Sequence, residues 1–147
     1  MTTITVDTAI SLTDYYMGRE LLYGGDLTPE RQLNALTTVS RVNTLIAALV
    51  AAGVDIEVNP RTGTLISSGW RPAVLNGTIP GAAPKSKHIT CQACDLYDPD
   101  GAIDDWCMEH LDVLEKIGLW LEHPSATKSW AHLQTVPPRS GNRVFYP

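Results

Sequence analysis

One long amphipathic run, Thr28 to Gly53, constrains the fold of this chain more than any other feature. Thr28-Pro29-Glu30 reads as a helix start. Threonine caps the free N–H groups, proline suits the first helical position, and glutamate sits at the positive end of the dipole. Leu33, Leu36, Val39, Val42, Ile46 and Leu49 then recur at three- and four-residue steps, which places them on one apolar stripe. Gly53 ends the helix. A stripe of this length has to be covered, so other parts of the chain must supply a layer against it.

That layer reads as short strands. Val54 to Val58 alternates apolar and acidic residues, Asn59-Pro60-Arg61-Thr62-Gly63 is a turn, and Thr64 to Ser68 returns, which predicts a hairpin. Residues 71 to 87, with Pro72, Pro80 and Pro84, form a long loop, and long loops in compact domains tend to be functional. Ile89 to Leu96 is a further strand. Asp98-Pro99-Asp100-Gly101 turns into a second helix, with Ile103, Trp106, Cys107, His110, Leu111, Leu114 and Ile117 on its stripe and Gly118 at its end. Leu119–Glu122 and Trp130–Thr135 are two more strands. The tail from Pro137 is rich in turn residues and reads equally as edging a groove or as closing the domain. Residues 1–27 read as an irregular arm before a core of 28–147. Helices and hairpins are segregated, so the expected class is α+β: one domain, with a small antiparallel sheet packed by helices.

Composition narrows the function. The 147 residues suffice for one core without staples, and 44% hydrophobic against 18% charged content is that of a folded protein. The net charge is −5 and no basic run occurs, which argues against nucleic acid as a partner. The apolar stretches read as too short for a membrane span, and MTTITVDTAI lacks the build of a secretory signal, so a cytoplasmic location is expected. Three cysteines is an odd count, which points to reduced thiols or metal ligands rather than disulfides.

The stretch Ser86 to Asp98, SKHITCQACDLYD, offers two incompatible metal sites. Cys91, Cys94, Cys107 and His110 spell Cys-x2-Cys-x12-Cys-x2-His, similar to a structural zinc site. The first pair, however, lies in a run that reads as a strand, where positions i and i+3 point to opposite faces. The second pair falls on a helix's apolar stripe. The alternative uses His88 and Asp95. His88 is an odd number of steps from Asp95, so it must sit at the strand entry, where the chain can re-aim it.

Five segments in order carry a resemblance: Ser67-Ser68-Gly69-Trp70-Arg71-Pro72, Asn76, Ser86-Lys87-His88, Ala93-Cys94-Asp95 and Trp130-Ala131-His132. Together they resemble the zinc D,D-carboxypeptidase and L-alanyl-D-glutamate peptidase family, which includes phage endolysins. The family pattern Ser-x-His-x-x-Gly-x-Ala-x-Asp, with an aromatic-x-His further on, is met by Ser86, His88, Ala93, Asp95 and His132. The chain departs from it at Cys91, where the family has glycine.

The resemblance implies zinc in a cleft on the sheet, held by His88, Asp95 and His132. It implies Arg71 as oxyanion stabiliser or carboxylate holder, and Ser86, Trp70 and Asn76 as substrate-binding residues. The general base departs from the pattern. The positions three before and two after the last histidine, where relatives carry an acid, hold Ser129 and Gln134. If the two last strands pair antiparallel, Glu122 is the nearest acid, and His123 is a second candidate. The expected function is a zinc peptidase acting on peptidoglycan stem peptides: a monomeric phage-type endolysin that waits in the host cytoplasm before lysis. The alternative is a zinc-containing wall-binding or virion protein that has lost its base.

Overall fold

The computed structural model describes residues 8–147. Among them are six α-helices: α1 (Leu12–Tyr16), α2 (Glu20–Tyr23), α3 (Pro29–Ala51), α4 (Ala73–Asn76), α5 (Ala102–Glu109) and α6 (Leu111–Ile117). Five strands, β1 (Ile66–Ser68), β2 (Ala93–Tyr97), β3 (Trp120–Glu122), β4 (Trp130–Gln134) and β5 (Val144–Phe145), form one open sheet in the order β1-β2-β4-β3-β5. The class is α+β, as expected. The sheet is mixed rather than purely antiparallel, because β5, formed by the turn-rich tail, runs parallel to β3.

Helix α3 begins at Thr28, whose side chain accepts from Arg31 N, with Pro29 at its first position. Its C-terminal half buries Val42, Leu45, Ile46 and Leu49. Its N-terminal half departs from the expected stripe: Leu33 and Leu36 are 66% and 51% exposed, and Ala35 and Thr38 face inward instead. The reason is what lies opposite. Thr38 Oγ1 donates to Cys91 O at 2.7 Å and Asn34 Nδ2 to Thr90 O at 3.1 Å, so this half packs on the carbonyls of a turn and needs small or polar residues. By length and composition alone α3 would pass for a membrane span, contrary to the sequence expectation. That test is also passed by core helices, and α3 packs its buried face into the core.

Residues 10–23 are more than an arm. Ser11 and Asp14 form a capping box, and Ile10 and Tyr15 are buried in the same core as α3 and the sheet. Two expected elements do not form as read. Residues 54–58 make no strand, and β1 pairs with β2 instead. The Asn59–Gly63 turn does close, but Asn59 Nδ2 and Thr62 Oγ1 both donate to Ile66 O, and Ile66 N donates to Thr64 Oγ1. These side chains take the places a ladder to residues 54–58 would have used. The second helix is broken at His110 (φ −136°, ψ 46°). The His110 imidazole donates from Nδ1 to Trp106 O at 2.7 Å, and so occupies the carbonyl that its own N–H would need for the helix to continue.

Candidate metal centre

Strand β2 begins at Ala93, not at Ile89. The residues before it form a turn in which Cys91 has φ 62°. That is the left-handed region glycine favours, and it is the position where the resembled pattern has glycine. The turn lifts His88 out of the strand's alternation and aims it at the sheet. Antiparallel pairing of β2 with β4 puts Asp95 directly opposite His132. On the other face, Cys94 pairs with Leu133 inside the core. Leu121 of β3 lies opposite Leu133, and one step further on Glu122 brings Oε1 to 3.8 Å from His132 Nδ1.

The result is a buried group. One potential ligand atom from each of His88, Asp95 and His132 lies within 4.8 Å of the others. Asp95 Oδ1 is 2.8 Å from His132 Nδ1 and 3.3 Å from His88 Nε2. The far side of each ring is anchored. His88 Nδ1 is 2.8 Å from Gly69 O, and a carbonyl only accepts, so Nδ1 carries the proton. His132 Nε2 is 3.1 Å from Gln134 Oε1. The Gln134 amide nitrogen donates to Val136 O, which fixes Oε1 as the acceptor. In the neutral rings, His88 Nε2 and His132 Nδ1 are therefore lone pairs facing an anionic oxygen. A cation or an added proton makes that arrangement favourable. Two imidazoles and a carboxylate, oriented from behind by acceptors, are a fitting donor set for a metal ion.

Electrostatics agree. Burial drives Asp95 up, but His88 and His132 outweigh it and hold its carboxyl below the usual range. Burial drives His132 down, but Asp95 outweighs it and the net shift is upward. Glu122 is raised chiefly by burial, against the pull of His132.

The group opens on a cleft of about 650 Å³ that is also lined by Arg71, Ser86, Glu122, Phe145 and Tyr146. Arg71 is 9% exposed and held by Asn76 Oδ1 at 3.0 Å and Ser68 Oγ at 3.2 Å. Ser86 lines the cleft, and its Oγ accepts from His88 N. Two expected substrate contacts are corrected. Trp70 is fully buried with Nε1 on Ile89 O, so it props the turn and has no surface to offer. Asn76 is buried between Arg71 and Ala83 O, where it positions the guanidinium and the loop. His123, the alternative base, caps its own turn through Ser125 and stacks on Tyr146.

The cysteine site does not assemble. Cys91, Cys94 and Cys107 are free and buried in the apolar core, with thiols pushed up by burial, while His110 stacks on Trp106 at 4.0 Å. Asp98 ties the start of α5, its carboxylate accepting from Ile103 N and Asp104 N. Gln134 and Gly69 were read only as a position lacking the expected acid and as part of a motif. That they hold the far sides of the two imidazoles was not read from the sequence, although Gln134 lies two residues from His132 on the same strand face. No family model, curated relative or solved structure matches this chain.

Proposed function

We propose that this protein is a zinc-dependent peptidase that cleaves a peptide bond in bacterial peptidoglycan stem peptides, in the manner of a phage or prophage endolysin. The observation that carries the reading is the convergence of His88 Nε2, Asp95 Oδ1 and His132 Nδ1 on the cleft floor, with the Glu122 carboxylate 3.8 Å away. The substrate class is supported by the resemblance of the ordered sequence motifs.

Zinc held by His88, Asp95 and His132 would supply Lewis acidity and would make water more acidic. The protein's own residues do the rest. Glu122 Oε1 takes a proton from the attacking water and passes it to the leaving amine. Its burial and upward shift suit a group that must both accept and release a proton. Arg71, fixed by Asn76 and Ser68, balances negative charge on the substrate, either at the developing oxyanion or at a carboxylate. Gly69 O and Gln134 Oε1 keep the imidazoles in the tautomers that leave their inner nitrogens free.

A second reading is a wall-binding or virion protein that keeps the metal and does not cut. It is favoured by Ser129 and Gln134 standing where the resembled family carries an acid, and by Gln134 being engaged in holding His132. Two variants separate the readings. His132→Ala removes both zinc and turnover; full activity in that variant sinks this site. Glu122→Gln keeps zinc and loses turnover by about 100-fold or more. A wild type that loads zinc but never turns over favours the second reading.

A further inference from the structure

The segment around Tyr15–Arg19 lies outside the motifs that carry the resemblance, yet it is tied to the metal centre at several points. Trp70 N donates to Tyr15 O at 2.9 Å, and Tyr15 Oη donates to Ala93 O at 2.7 Å, at the head of β2. Arg19 Nη1 donates to Trp70 O at 2.7 Å. The strand-to-loop segment held in this way, Gly69-Trp70-Arg71, supplies the carbonyl on His88 Nδ1 and the cleft guanidinium. Arg71 N in turn donates to His88 O at 3.1 Å.

Arg19 is half-buried, and among the described residues no carboxylate lies within ion-pair distance of it. Sequestering a guanidinium with no partner acid is unfavourable, and Arg71 and Arg61 lie close enough to add like-charge repulsion. What the guanidinium does contact is the Trp70 carbonyl.

We propose that Arg19 is a positioning residue for the metal centre. By anchoring Trp70 O it keeps Gly69 O on His88 Nδ1 and keeps Arg71 in the cleft. Residues 15–19 thus act as a clamp on the wall of the site. The turnover arm of the test rests on the peptidase reading, whereas the metal-affinity arm does not.

The experiment compares wild type, Arg19→Met, which keeps the apolar stem and loses the donor, and Arg19→Lys, which keeps a donor. Zinc affinity is measured by competition with a chromophoric chelator at a temperature where all three are folded. Direct partners of a ligating histidine are worth about 10–100-fold in metal affinity, so a residue one bond further out is expected to cost about 3–10-fold in R19M. R19K stays near wild type, and kcat on a stem peptide falls in R19M alone. Wild-type zinc affinity in folded R19M overturns the proposal, whatever its melting temperature. So does equal weakening in R19M and R19K, because the donor is then not what matters. Should R19M not fold, Arg19→Gln, too short to reach Trp70 O, takes its place. A wild type without turnover overturns the peptidase reading and leaves the zinc comparison to decide the clamp.

Discussion

Gly69 joins the fold to the site, and replacing it tests both. A Cβ at this position would lie 1.9 Å from Tyr15 O, 2.8 Å from Tyr15 C and 3.1 Å from Tyr15 Cα. All three are backbone atoms, so no flexible side chain can yield. In Gly69→Ala either α1 or the Gly69–Arg71 segment must move. Overpacking of this kind costs about 1–3 kcal/mol. The Trp70 N–H bond to Tyr15 O, lost in the move, adds about 0.5–1.5 kcal/mol. The sum is about 1.5–4.5 kcal/mol, which for a chain of this size, at about 2–4 °C per kcal/mol, lowers the melting temperature by about 3–18 °C. Displacing Gly69 O also frees the His88 ring, so zinc affinity falls by about 10–100-fold. Thermal melts followed by circular dichroism and chelator competition measure the two effects. Gly77→Ala is the control, since its added Cβ meets nothing closer than 3.6 Å. A G69A protein that melts within about 2 °C of wild type and binds zinc as tightly would refute the close approach of α1 and the role of the Gly69 carbonyl.

Three further outcomes follow from the same structure. Cys94→Ser and Cys107→Ser lower stability, because a hydroxyl replaces a buried thiol in the apolar core, but leave zinc stoichiometry unchanged; loss of metal in either variant would revive the cysteine site. Asp104 is buried, and its pKa is pushed from 3.8 to about 7 chiefly by that burial. Its folded value lies above its unfolded one, so its contribution to stability is full below the unfolded value and is lost as pH rises through the folded one. In Asp104→Asn the urea midpoint should fall less between pH 5 and pH 8 than in wild type (about these limits), and an unchanged slope contradicts the assignment. Zinc competes with a proton on His132, whose pKa is raised by Asp95, so zinc affinity measured against a pH-independent competitor should weaken as pH falls through the range above the ordinary histidine value; a flat profile counts against His132 as ligand.

The candidate site was legible through the resemblance of five ordered motif segments, since the spacing of His88 and Asp95 alone was weak evidence for a ligand pair. Asp95 and His132 face each other across the β2–β4 pair, and Glu122 was reached by pairing the last two strands, β3 and β4, antiparallel. The rest depended on contacts distant in sequence. Leu33 and Leu36 fitted an apolar stripe, but the turn at Thr90-Cys91 decided that Ala35 and Thr38 face inward. The 54–58 hairpin strand failed because Asn59, Thr62 and Thr64 bond the backbone locally, and the helix break at His110 came from one imidazole taking one carbonyl. Trp70 lay inside a motif and was read as a contact residue, yet burial makes it a prop. The role of residues 15–19 had no periodic or motif signal, since it consists of single hydrogen bonds across more than fifty positions.

The most direct test of the central claim is to incubate purified peptidoglycan with the zinc-loaded protein, and with a chelated control, and to weigh the released products by mass spectrometry. The account predicts new peptide fragments that disappear with the chelator and in His132→Ala, with masses that name the bond cut. A folded, zinc-loaded protein that releases no fragment from several wall types contradicts it.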